Sequence, residues 1–171
     1  MKISMYQACV PTGIRMMNNL AAVLEKAAQH AEAKKIEPEV LVTARLAPDM
    51  FPLARQVQIA SDSAKAGAAR LAGLEPPSFE DNEKTLAELV ARVKKTAAYL
   101  ETLKPAQFEG AEERIVKWKT RTGEKSMAGL PYALHQMLPN LHFHSTTAYD
   151  ILRHNGVELG KMDYLGREPP A

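Results

Sequence analysis

Apolar residues recur along this chain at alternating steps of three and four, in four separate stretches. Ile14, Met17, Ala21, Leu24 and Ala28 form the first stripe, and Leu53, Val57, Ala60, Ala64, Gly67 and Leu71 the second. Leu86, Leu89, Val93, Ala97, Leu100 and Leu103 form the third, and Leu134, Leu138, Leu141, Ser145, Ala148 and Leu152 the fourth. Such spacing keeps side chains on one face of a helix. Principal helices are therefore expected over about residues 3–32, 52–72, 82–104 and 131–155. Pro11 lacks a backbone donor, which predicts a kinked or separate start to the first helix. Pro139 predicts a kink in the fourth helix, or the beginning of its main segment. "EVLVTARL" reads as a short helix between Pro38 and Pro48. Pro52 suits a first turn, Asp81 an N-cap, and Gly73 and Gly156 suit helix ends. The inward positions of the second stripe are mostly small, which predicts close approach of another backbone near the bundle centre.

The period changes in "ERIVKWKTRTGEKSMAG". Ile115 or Val116 alternates with Trp118, a Gly-containing turn follows, and a second short run completes a β-hairpin. Two strands alone are marginal in water, so the hairpin is expected to lie on the helices, with Trp118 covering the core edge. With no internal repeat and no βαβ alternation, the pattern predicts an all-α four-helix bundle with a small hairpin between helices three and four.

Composition narrows the function classes. A chain of 171 residues, 46% hydrophobic and 25% charged, suits one globular domain over residues 1–171. Its 22 basic and 20 acidic residues leave a net charge of +2, too small a field to argue for nucleic acid or an anionic membrane. No run approaches the roughly 20 apolar residues that span a bilayer. Cys9 is the sole cysteine, which excludes an internal disulfide and reads as inert packing. "MKISMYQACVPTG" is a poor signal peptide, so the expected compartment is the cytoplasm.

Candidate chemistry concentrates in "PNLHFHSTTAYDILRHNGV". On a helix His142 and His144 diverge by about 200 degrees and do not readily share a metal. His142 falls on the flank near Tyr149, while His154 points outward, where it complements the helix dipole. His144 falls on the other flank with Asn140, one turn earlier. On the second helix Gln56 lies at the edge of the stripe and Gln58 nearly opposite, which makes Gln56 the better inward candidate without closing the choice. Asn140, His144 and Gln56 would make a polar pocket, with Tyr149 a further lining candidate. Amide oxygens are poor ligands for a transition metal. The expectation is accordingly a hydrogen-bonded His144 and no tightly bound metal or other cofactor. Asp62 falls opposite its stripe and reads as a solvated carboxylate.

The segments "DMFPLARQVQIASDSAK", "LPNLHFHSTTAYDILRHNGV" and "LGKMDYLG" resemble the DinB-like, or YfiT-like, superfamily of metalloenzymes. The chain is most similar to a branch known only as a domain of unknown function, with PN-x-x-FH-x-TTAY-x-ILRHNG as its specific stretch. The resemblance implies a four-helix bundle with one histidine on the second helix and an H-x-x-x-H pair on the fourth. His144 matches the second member of that pair. Asn140 stands in place of the first, and Gln56 or Gln58 in place of the helix-two histidine. A small-molecule-binding or non-catalytic bundle with a degenerate metal site is the leading expectation. The alternatives are a metal-dependent thiol transferase or hydrolase, in which His144, Asn140 and Gln56 hold zinc or nickel weakly, and a structural self-association module. The resemblance also implies homodimers paired through helix faces, for which Met5, Tyr6 and Met16 could provide an apolar strip. The tail "VELGKMDYLG" is expected to fold back over the bundle, with Pro169 and Pro170 ending its order.

Overall fold

Ser4 opens the first helix through a reciprocal cap. Its hydroxyl accepts from the N–H of Gln7 at 3.2 Å, and the Gln7 side chain accepts from the N–H of Ser4 at 3.0 Å. The computed structural model describes residues 3–166 apart from residue 121, so Pro169 and Pro170 lie outside the described residues. From Ser4, α1 (Met5–Lys34) runs as one helix with Pro11 inside it, so the first turns are not a separate segment. Pro11 is exposed and so is Gln7, whose carbonyl it leaves without a helical donor. Water can satisfy a carbonyl there, and continuity survives.

A short α2 (Pro38–Thr43) leads to α3 (Leu53–Leu71), followed by α4 (Leu86–Thr102). The cap of α4 is Thr85, whose hydroxyl accepts from the N–H of Glu88 at 3.2 Å, and not Asp81. Strands β1 (Ile115–Thr120) and β2 (Gly123–Ala128) pair antiparallel, with Val116 opposite Met127 and Trp118 opposite Lys125. Val116 is buried and Trp118 packs on Tyr132 at 5.0 Å between ring centroids, whereas Ile115 faces solvent.

The fourth helix has two parts. A single turn, α5 (Gly129–Tyr132), enters a π turn at Ala133–Met137, and α6 (Leu138–His154) follows. The N–H of Leu138 reaches the carbonyl of Ala133, five residues back. An ordinary helix would drive the ring of Pro139 into the carbonyl of His135, and the widened turn lies where that clash must be relieved. The extra residue rotates everything before it. Leu134, expected on the core stripe, is 51% exposed, and Met137 is buried instead.

Helix α1 lies beside α4 and α6, and α3 beside α6 and α4, which closes a four-helix ring around a core of mostly Leu, Val, Met and Ala. Between α3 and the fourth helix the close approach falls at Gly67, where an added Cβ would stand 2.4 Å from Cγ of Met137. Met5 and Met16 belong to this core, and Tyr6 is half-buried, so the apolar strip expected on α1 does not exist. After Gly156, at φ 91°, α7 (Lys161–Leu165) folds back on α1. Lys26 bonds Asp163 at 2.7 Å, and Asn19 bonds the Tyr164 carbonyl at 2.9 Å. Among the described residues no helix is long and apolar enough to cross a membrane.

Candidate functional site

The α3/α6 contact brings His144 to Gln56. Imidazole Nδ1 lies 2.7 Å from Gln56 Oε1, and Gln56 Nε2 donates to the Phe51 carbonyl at 3.1 Å. The amide's orientation fixes the proton. Because its nitrogen is donating, its oxygen must accept, so Nδ1 carries the hydrogen and Nε2 the lone pair. Burial, and secondarily the positive charge of Arg55, holds the His144 imidazolium below the usual histidine range. Gln56 is 1% exposed, while the rings of Phe51 and Phe143 stand 50% and 57% exposed at this end of the bundle.

Asn140 does not join them. Its amide turns back to donate to the Gln136 carbonyl at 2.7 Å, and the residue is exposed. Tyr149 also lies elsewhere: its ring meets the edge of Tyr164, whose hydroxyl is 3.1 Å from His142 Nδ1. Burial lowers the His142 pKa as well. Gln58 is buried but serves a different cluster, donating to Glu83 at 3.0 Å and accepting from Arg55 at 3.2 Å.

That cluster is the feature that sequence reasoning missed. Arg92 is 4% exposed and bonds Glu83 and Asp81 at 2.9 Å each, Asp62 at 3.1 Å and the Glu80 carbonyl at 2.8 Å. Asp62, expected to be simply solvated, thus bridges Arg92 and Lys65. Ser61 and Thr96 join α3 to α4 beside it at 2.7 Å. The available signal was the position of Arg92 between Leu89 and Val93, inside the arc that the third stripe buries. A cation there requires acids, and the run "FEDNE" provides them.

Between α3, the loop at Phe79 and the hairpin runs an open groove of about 460 Å³. Ile59, Ser63 and Ala66 form its floor, with Asn140 on the α6 side and Trp118 on the hairpin side.

A family model described as a domain of unknown function (DUF1993) matches residues 5–165. A crystal structure of a DinB family member protein from Shewanella denitrificans is 46% identical, covering 97% of this chain and 94% of that one, with a TM-score of 0.90. The chain belongs to the DinB family. Within it, this bundle has the DUF1993 sequence, and no protein of curated function matches it.

The superfamily's three-histidine pattern meets a different donor set here. This DinB bundle brings one imidazole to a carboxamide that is already its hydrogen-bond partner, and the second amide faces another way. Among the described residues no group of three or more His, Cys, Asp and Glu could hold a metal ion. The donor set does not fit a tightly held transition metal.

Proposed function

We propose that this DinB-like protein is a small-molecule-binding bundle in which a hydrogen-bonded His144–Gln56 pair replaces the superfamily's metal ligands. The observation that carries the reading is the 2.7 Å contact between Nδ1 and the amide oxygen, with Asn140 turned to Gln136. The pair joins α3 to α6 as a neutral strut, and the groove beside α3 receives the ligand.

One feature favours a second reading. Nε2 of His144 has no protein partner among the described residues, and Nδ1 donates to a carbonyl oxygen, which is how metal-binding histidines are commonly oriented. A weakly held divalent metal and a transferase or hydrolase activity would follow from it.

Elemental analysis of protein purified without a histidine tag separates the two. The binding reading expects no stoichiometric zinc or nickel, and a His144→Ala variant that loses stability with metal content unchanged. About one zinc per chain, lost on that substitution, would promote the enzyme instead.

A further inference from the structure

The groove beside α3 is lined by more cations than acids. Arg55, Lys65, Arg70 and Lys119 line it, and Asp62 is the only carboxylate among its described lining residues. Four cations against one anion give the lining a formal charge of +3, more than the whole chain's +2. Arg55 has Asp81 as an ion-pair partner. The others are less well matched. Lys65 is 3% exposed, shares Asp62 with Arg92, and otherwise rests on the Phe79 ring at 3.9 Å. Among the described residues the guanidinium of half-buried Arg70 bonds the Tyr132 hydroxyl alone, at 3.2 Å, and Lys119 has no ion pair within 4 Å, Glu124 standing opposite it on β2. A guanidinium offers five donors in a planar fork, so one phenol leaves most of them for a carboxylate or phosphate.

The groove's floor suits an apolar body. Arg55, Ile59, Ser63, Ala66 and Arg70 follow one another at steps of three or four along α3, which places the small residues on the same face between two arginines. Arg70 marks the hairpin end, because the Tyr132 that it bonds packs against Trp118. Trp118 is half-buried with one side on Tyr132, and it lines the groove. At about 460 Å³ the groove has the size of a small-ligand site.

We infer that this groove binds a small organic anion, with its carboxylate or phosphate held by Arg70 and Lys119 and its aromatic or apolar body laid on Ile59, Ser63 and Ala66 beside Trp118. This names the ligand class for the binding reading above and rests on it. Trp118 is the chain's one tryptophan, so its indole N–H provides a single reporter signal inside the site.

The test is a titration of ¹⁵N-labelled full-length protein, in chelator, with benzoate, phenyl phosphate and neutral benzamide. The Trp118 indole peak should move saturably with at least one anion at up to roughly 20 mM, and not with benzamide. The preferred anion distinguishes a carboxylate source from a phosphate source. Arg70→Gln and Lys119→Glu should each weaken binding roughly tenfold or more. Lys119 is exposed on the hairpin, so its variant keeps the test valid if the Arg70 variant folds poorly. Benzamide binding equal to that of the anions, no saturable shift, or unchanged binding in Lys119→Glu overturns the inference. Finding zinc at His144 would overturn the metal-free reading alone, because the titration is run in chelator and reads Arg70 and Lys119.

Discussion

Gln56 Oε1 accepts the Nδ1 proton of His144 at 2.7 Å, so a residue near the start of α3 fixes the tautomer of one in the middle of α6. The amide is 1% exposed, so removing the imidazole strands a buried acceptor. His144→Ala should therefore cost about 1 to 3 kcal/mol, more than the roughly 1 kcal/mol of an average hydrogen bond. A double-mutant cycle with Gln56→Ala checks it by urea denaturation. A coupling energy near zero would show that the contact adds nothing to stability.

The same histidine sets a pH dependence. Burial, with Arg55 contributing at His144, lowers the pKa of both His144 and His142 in the folded state. The unfolded chain then binds protons that the folded chain resists. The stability from these groups is complete above the unfolded value of about 6.5 and is lost as pH falls below it toward the folded values. The urea midpoint should fall between roughly pH 7 and pH 5, and the His142→Gln/His144→Gln double variant should flatten that slope. Asp163, lowered chiefly by its hydrogen bond to Lys26, and Glu88, lowered chiefly by the backbone N–H of Lys84, act in a more acidic window. Their contribution is present above the unfolded carboxylate range of about 4 and disappears as pH drops through their depressed values.

Gly67 faces Met137 across the α3 contact with the π turn. Replacing it with Leu should overpack the site and cost about 1 to 3 kcal/mol, despite the better helix propensity of Leu. Chemical denaturation reads the change directly. A stability equal to wild type would mean that Met137 swings away without loss.

Cys9 is fully buried, and desolvation pushes its thiol up to about 11. It should resist a chromogenic disulfide reagent at neutral pH and react fully in denaturant. Prompt labelling of the native protein would show that α1 opens locally at its first turns.

Much of this architecture was legible because a helix that buries one face must repeat its apolar residues at that face's period. Val57, Ala64, Leu89, Leu100, Leu141 and Leu152 all lie in the core that the stripes describe. What the period cannot register is a change of period, and Leu134 shows it. Counting back from Leu138 in steps of four assumes an α turn, but the chain closes a π turn there. Asn140 was placed beside His144 by the same arithmetic. A short amide can instead bond a carbonyl one turn back, and local competition of this kind leaves no trace in spacing. Gln56 differs from Gln58 only in its angle to the stripe, and in the structure it is Gln56 that meets His144. The Arg92 cluster was hidden for another reason. Its acids lie in an irregular loop that no periodicity describes, although a cation inside an apolar arc announces that acids must come from somewhere.

The π turn gives the fourth helix a joint that absorbs chain length. A turn closed by a bond five residues back holds one residue more than an ordinary turn needs. Losing one residue there, together with replacing Pro139 by a residue that keeps its N–H, would allow a plain α-helix and would rotate the stretch carrying Tyr132 by about 100 degrees relative to the one carrying His144. The two stretches serve different walls: Tyr132 supports Trp118 and Arg70, while His144 is tied to Gln56. A single insertion or deletion at this joint could therefore re-aim the hairpin-side wall of the groove while the leucines of α6 kept their places in the core.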